Sequence, residues 1–387
     1  MIYNRAVQTR SLYIHWPFCA YKCHFCPFVA LASHEPFMDQ YNNALDKEIE
    51  QFASLGANNA EIETIFIGGG TPSSWPDKLL LDTSGKMRSV YCVNDSAEIT
   101  IEVNPGTVRQ EQLKMWTDIG INRLSIGIQS LNDSVLKKLN RLHTAKDVRT
   151  VLEQAKKNFE NISIDLILGL PDISEDEWKK TLREVIYWPI KHISIYFLTV
   201  HENTKLYFHV ESQKVVLPAD DSLVDLYSWS VDFLNKHGFV QYEISNFARS
   251  GYRCKHNQVY WNRKPYKGFG LGACSFDGTS RFQNSKNLMD YIQAIESGGN
   301  SADFVETLSV KQVILEKLML GLRRPKGMRS IEFFEDLSET QVRRIEKNIS
   351  FLKDKKFIKE INGMLCLNPN YIMLENEIVI NILDGVV

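Results

Sequence analysis

The chain has 387 residues, 44% of them hydrophobic and 24% charged, with a formal net charge of −2. This is ordinary globular composition long enough for two or three domains, so disorder as a main theme is excluded and no global basic field points to nucleic acid. No stretch reaches the ~18 consecutive apolar residues of a membrane span, and MIYNRAVQTR at the start lacks the apolar core of a secretory signal, so a cytoplasmic location is expected.

Short β-branched and apolar runs recur along the first half: Ser11–His15, Thr64–Ile67, Glu98–Val103, Arg123–Ile128, Ile162–Leu168 and His192–Phe197. Each has the length and bias of a buried strand. Between them, Pro36–Leu55, Arg109–Ile119, Ala145–Phe159 and Glu175–Trp188 carry helical periodicity. Asn132 and Ser174 stand where N-caps are expected, and Gly120 where a helix stops. Such β–α alternation predicts a parallel sheet with helices outside it, closing toward a barrel or a doubly wound layer. After about residue 205 the rhythm breaks. Asp220–His237 reads as a helix, Phe239–Ile244 as a strand and Ser245–Gly278 as a loop-rich stretch. From about Val305 a smaller unit begins, with helices over Leu308–Leu322 and Ser338–Lys353. The runs Lys356–Ile361 and Met364–Leu367 around Asn362-Gly363 predict a hairpin with a type I′ turn.

In parallel α/β folds the ligand site lies at the carboxyl ends of the strands. The unusual segments sit there: HWPFC, GGGTP, EVNPG, IQS and LGLP each follow a predicted strand. The first leads into Cys19-Ala-Tyr-Lys-Cys23-His-Phe-Cys26, three of the chain's seven cysteines within eight residues. An odd cysteine count without a secretory signal argues against a disulfide framework. Structural zinc wants four ligands, usually as two pairs, and no second pair exists, although His24 lies inside the loop. Three soft thiolates suit a [4Fe–4S] cluster with one iron left open, and that open iron can chelate a small molecule. Structural thiols or a zinc site are the alternatives on the residues alone.

A CxxxCxxC loop after the first strand of a β/α array, with aromatic Phe25 between the last two cysteines, resembles the radical S-adenosylmethionine superfamily. The resemblance implies a partial (β/α)6 TIM-like barrel of parallel strands. It also implies a [4Fe–4S] cluster on Cys19, Cys23 and Cys26 that chelates S-adenosylmethionine and, when reduced, splits its sulfonium. More closely, YIHWPFC, IFIGGGTPS, EVNPG, RLSIGIQS, LNRLH and DLILGLP are similar, in order, to blocks of the oxygen-independent coproporphyrinogen III oxidase family. By that resemblance Tyr13, Phe25, Gly69, Gly70, Thr71, Glu102, Gln129, Arg141 and Asp165 map onto nucleotide contacts, with Thr199 and Ala273 as further candidates.

The family has a decarboxylating branch and a HemW-type haem-chaperone branch. The decarboxylase has another cysteine two residues after the third, where this chain has Phe28, and a longer N-terminal arm than the 18 residues before Cys19. Cys254-Lys-His256-Asn257-Gln-Val-Tyr260-Trp261 resembles the HNxxYW motif of the chaperones, and the C-terminal unit, winged-helix-like in its element order, resembles theirs. The expectation is a haem chaperone with cluster, S-adenosylmethionine and haem as cofactors and with acceptor haemoproteins, respiratory enzymes among them, as partners. The alternative is the oxidase itself. Whether S-adenosylmethionine is turned over or only bound, and whether the chain forms a homodimer, are left open. A neutral imidazole can ligate haem iron, and Tyr260 and Trp261 offer flat faces for a macrocycle, which makes His256 the candidate haem ligand; a histidine hydrogen-bonded within a packed loop is the alternative. The expected units are residues 1–205 (barrel core), 206–304 (extension carrying the HNxxYW loop) and 305–387 (C-terminal domain).

Overall fold

The computed structural model describes residues 9–56, 60–334 and 337–386. The first strands are β1 (Ser11–Trp16), β2 (Phe18–Cys19), β3 (Leu31–Ala32), β4 (Ile62–Gly69), β5 (Val93–Val103), β6 (Arg123–Gln129), β7 (Asn161–Leu168) and β8 (His192–Phe197). They are followed by β9 (Val240–Gln241), β10 (Asn246–Ala248), β11 (Lys267–Phe269), β12 (Cys274–Phe276), β13 (Ser280–Asn284), β14 (Ala302–Thr307), β15 (Ile358–Ile361) and β16 (Met364–Leu367). Among the described residues the main sheet has nine strands in the order β11-β1-β4-β5-β6-β7-β8-β10-β9. From β11 to β8 every pairing is parallel, and β10 and β9 add an antiparallel edge.

The strands alternate strictly. One pleat carries Leu12, Ile14 and Trp16, then Ile65 and Ile67, Ile101 and Val103, Leu124 and Ile126, Ile164 and Leu166, all in one apolar core. The other pleat carries Tyr13, His15, Thr64, Thr100, Glu102, Ser125, Asp165 and Ser194. Parallel strands covered on both faces usually read as continuous apolar runs. The alternation here gives the curled sheet a greasy outside, covered by helices, and a polar bore.

The four helices expected in the first half lie where periodicity puts them: Met38–Ser54, Gln110–Asp118, Ala145–Ala155 and Glu175–Val185. Asn132 Oδ1 accepts from the amides of Ser134 and Val135, and Ser174 closes a capping box with Glu177, so the caps are read correctly. Gly120 has φ 89°, the left-handed stop that glycine allows. The C-terminal elements follow as well, with helices Val310–Leu322 and Glu339–Asp354. Asn362 and Gly363, at φ 53° and 75°, make the turn between β15 and β16. A second apolar core, including Ile314, Leu318, Ile345, Leu352, Ile378 and Ile382, holds this unit together.

One expectation needs correcting and another completing. The strand expected over Phe239–Ile244 shrinks to the two residues of β9, because Tyr242 and Glu243 turn into the interior. The stretch Ser245–Gly278 is loop-rich as expected but not without regular structure: between its loops lie β10, the helix Lys255–Trp261, β11 and β12. Elements of three to seven residues complete too few periods to show in a hydrophobic pattern. Helix Asp77–Val90 also escaped, since Thr83, Ser84 and Gly85 dilute its propensity. No helix among the described residues is long and apolar enough to cross a membrane.

Candidate functional site

The site begins where β1 ends. After Pro17 the chain makes β2, loops through the three cysteines and returns as β3, which lies parallel to β2. The loop is tied down at several points. The Leu31 amide donates to Pro17 O at 2.8 Å, the His24 amide to Leu139 O at 3.1 Å, and Asn140 Nδ2 to Lys22 O at 2.9 Å. His15 binds Val29 O through Nε2 at 2.8 Å and faces the Tyr13 hydroxyl through Nδ1 at 2.9 Å. Burial pushes its pKa down to about 4, so it is a neutral structural bridge from β1 to the far end of the loop.

The glycines after β4 are demanded by the chain itself. A Cβ on Gly70 would lie 2.4 Å from Pro17 O, and one on Gly69, at φ 121°, would lie 2.7 Å from the His15 ring. The end of β4 therefore presses directly on the start of the cysteine loop. This closeness puts Thr71 Oγ1 3.2 Å from Cys19 Sγ, to which it donates. All three cysteines are free, and burial pushes the Cys19 thiol up to about 11 and raises Cys26 as well. Ionising them together calls for a cation, which a metal centre provides.

The loop forms one wall of a cavity of about 390 Å³, within the ordinary range for small-molecule sites. Cys19, Cys23, Phe25, Cys26, Gly69, Gly70 and Thr71 line that side; Glu102, Gln129, Arg141 and Asp165 line the rest. Glu102 accepts the Gly69 amide at 3.0 Å through Oε2, and burial, with Asp165 beside it, lifts its pKa to about 7. Asp165 is likewise raised by burial; its Oδ2 accepts from Ser125 Oγ at 3.1 Å, while Oδ1 has no partner. Arg141 Nη2 donates to Gly127 O at 2.6 Å and Asn104 Oδ1 at 3.3 Å, and Nη1 reaches Cys23 Sγ at 3.6 Å. Its buried Nε is unpartnered. Gln129 sits at φ 63° on an irregularity of the β6–β7 ladder, and such strain in a non-glycine residue marks a place the surrounding structure holds for use.

Eleven of the expected site residues therefore share one cavity, and two do not. Tyr13 lies behind the wall, its phenol beside His15 and its ring stacked on Phe66. His256 lies at the opposite, amino-terminal end of the bore. It belongs to a helix rather than a loop, capped by Cys254 Sγ, and is wholly buried. Its Nδ1 pairs with Thr64 Oγ1 and its Nε2 with Tyr260 Oη, each at 2.8 Å, while its amide donates to Glu98 Oε1 at 3.0 Å. As packed here, neither ring nitrogen has a lone pair to give to iron, and the segment plugs the base of the barrel. Of the further candidates, Thr199 lines the cavity and Ala273 does not.

Sequence reasoning missed Tyr21, Asn104, Ser125 and Tyr196, which also line it. Ser125 and Tyr196 could have been found from the alternation that places Glu102 and Asp165, and Asn104 from its position after β5. Tyr21, inside the CxxxC spacing, gave no signal.

The radical SAM superfamily profile matches residues 13–185. The haem chaperone HemW of Bacillus subtilis is 33% identical over 372 residues, covering 95% of this chain and 98% of its own. The chain belongs to the HemW family of the radical SAM superfamily. HemW of Escherichia coli is 36% identical over 68% of this chain and 69% of its own. A mitochondrial radical S-adenosyl methionine domain-containing protein of Danio rerio is 34% identical over 96% of this chain and 86% of its own. Among solved structures, coproporphyrinogen III oxidase (HemN) of Escherichia coli superposes with a TM-score of 0.83 at 22% identity, covering 98% of this chain and 92% of that one. That likeness extends the fold of a radical SAM enzyme over nearly the whole HemW-family chain.

Proposed function

We propose that this chain is a haem chaperone of the cytoplasm that carries a [4Fe–4S] cluster on Cys19, Cys23 and Cys26, binds S-adenosylmethionine beside it, and delivers haem to haemoproteins, respiratory enzymes among them. The observation that carries the reading is the cavity itself: three free thiols on one wall, and on the others carboxylates and a guanidinium with polar atoms still unpartnered. This donor set fits the two groups. Three cysteines without a fourth suit a cluster with one open iron. Asp165 Oδ1 and Glu102 suit the hydroxyls or ammonium of a nucleotide ligand, and the Arg141 guanidinium suits its carboxylate.

Cys19, Cys23 and Cys26 would hold the cluster, which when reduced would supply an electron to the sulfonium. The chain's own residues do the rest. Thr71 donates to the Cys19 sulfur and Arg141 approaches that of Cys23, so both favour negative charge on the thiolates. Glu102 ties the nucleotide side of the cavity to the Gly69 amide. His15 and Tyr13 hold the loop from behind. In this reading residues 1–205 form the barrel core, 206–304 an extension that plugs its base, and 305–387 a C-terminal domain. His256 acts within the plug, since both its ring nitrogens are engaged.

Anaerobic reconstitution followed by addition of haemin is the test. Acid-labile sulfide together with haem that stays bound through gel filtration is expected; protein that retains no haem overturns the chaperone reading. The fold shared with HemN favours one second reading, decarboxylation of coproporphyrinogen III. Phe28, where the decarboxylase pattern has cysteine, stands against it, and formation of protoporphyrinogen IX from substrate, reductant and S-adenosylmethionine would reverse the preference.

A further inference from the structure

Tyr21 lies on the cysteine loop, between Cys19 and Cys23, and lines the cavity. Its hydroxyl oxygen accepts two hydrogen bonds, from Asn104 Nδ2 at 2.9 Å and from the Leu142 amide at 3.3 Å. A phenol has one proton to give. Both donors approach the oxygen, and no described residue accepts the Tyr21 proton. The two donors also fix where the hydroxyl lies. Asn104 is held by its amide donating to Ser73 Oγ at 2.9 Å, and its Oδ1 accepts Arg141 Nη2 at 3.3 Å. Leu142 directly follows Arg141. Tyr21 is thus tied from the cysteine loop to Asn104, one of the acceptors of the Arg141 guanidinium, and to Leu142, the next residue in the chain, with a donor left over.

We propose that Tyr21 is a carboxylate-binding and positioning residue: its O–H donates to the ligand carboxylate that Arg141 attracts, and its two accepted bonds hold Asn104 and the 141–142 segment so that the guanidinium faces that carboxylate. The proposal rests on the reading that the cavity takes S-adenosylmethionine beside a cluster. A guanidinium and a phenol aimed at one carboxylate satisfy more of its lone pairs than either alone. The sites on Asn104 and Arg141 follow recognisable blocks of the sequence, whereas Tyr21 couples them to the metal-binding loop. Occupancy of the nucleotide site is therefore felt by the loop that holds the cluster.

The test compares S-adenosylmethionine with its decarboxylated analogue by anaerobic calorimetry on cluster-loaded protein. Tyr21→Phe is expected to keep its iron and sulfide content, to bind S-adenosylmethionine roughly tenfold more weakly, the loss of one charge-assisted hydrogen bond, and to bind the analogue as the parent does. Equal losses for both ligands, or none for either, overturn the proposal. If Tyr21→Phe does not load the cluster, 3-fluorotyrosine at position 21 replaces it. Its fluorine resonance is expected to shift with S-adenosylmethionine and not with the analogue, and the same response to both ligands overturns the proposal. A parent protein with no acid-labile sulfide and no affinity for either ligand is a different outcome: it removes the functional reading itself.

Discussion

The two ends of the barrel hold nearly the same chemical groups and use them in opposite ways. At the carboxyl end are three cysteines, Glu102, Asp165, Arg141 and Tyr21; at the amino end are Cys254, Glu98, Arg123, His256 and Tyr260. At the base the helix Lys255–Trp261 brings its groups onto those of the strands. Cys254 Sγ lies 3.4 Å from Glu98 Oε1, and His256 is bonded on both ring nitrogens. At the mouth the corresponding groups, from the cysteine loop, from β5 and β7 and from the segment after β6, line a cavity, and Asp165 Oδ1 and Arg141 Nε are left unpartnered. Arg123 Nε at the base is unpartnered as well, so what sets the mouth apart is that its unspent atoms belong to residues lining a cavity; buried polar groups are normally satisfied, and unspent capacity beside a cavity marks the place for a ligand. The histidine that the resemblance offers as a haem ligand is, in this structure, hydrogen-bonded on both ring nitrogens.

The contrast can be broken most decisively at the cysteines. Replacing Cys19, Cys23 or Cys26 by Ala is expected to abolish the brown chromophore of anaerobically prepared protein, whereas Cys254→Ala keeps it. A retained chromophore in any of the first three, read by visible absorption and sulfide assay, removes the ligand assignment.

His256→Ala comes next. It leaves the Thr64 and Tyr260 hydroxyls buried without partners and opens a cavity, a cost of roughly 3 kcal/mol. The expected readout is a lower Tm. A haem complex with an altered Soret spectrum and an unchanged Tm would instead put the imidazole on iron.

Glu102→Gln sharpens the comparison through pH. Burial raises the folded-state pKa of Glu102 to about 7, above its ordinary value of 4.5. Between these values the folded chain binds more protons than the unfolded chain, so this group's contribution makes stability fall as pH rises through that window. The variant, which cannot ionise, should be more stable than the parent at pH 8 by about 3 kcal/mol, with the difference fading toward pH 4. It should also bind the nucleotide more weakly, since a carboxylate accepts from hydroxyls better than an amide does. Thermal melts across pH that run parallel for the two proteins would refute the burial of an ionisable group here.

Thr71→Val has the smallest expected effect. It removes the hydroxyl that donates to Cys19 Sγ, worth about 1 kcal/mol. Without that bond the reduced, more negative cluster is less favoured, so the reduction potential should fall while the iron content is unchanged. A potential at or above that of the parent would place the hydroxyl elsewhere.

Much of this molecule is written in its local pattern. Strand alternation, helix caps such as Ser174 and the positive-φ stops at Gly120 and Gly363 depend on neighbours a few residues away, so chain order suffices to read them. The CxxxCxxC spacing is local too, and so are the sequence blocks whose family resemblance, with the rule that ligands gather at the carboxyl ends of parallel strands, pointed to the eleven expected residues that line one cavity. Local pattern could not say what His256 faces, because its partner Thr64 lies 192 residues away and a short helix had to dock on the barrel base before the pair existed. Nor could it show that Gly69 and Gly70 are needed for the approach of Pro17 and His15, or that the Tyr21 hydroxyl meets Asn104 across 83 residues. Residue type and spacing settle which groups are available; which of them remain free for a ligand is decided only when the folded chain has paired off the others.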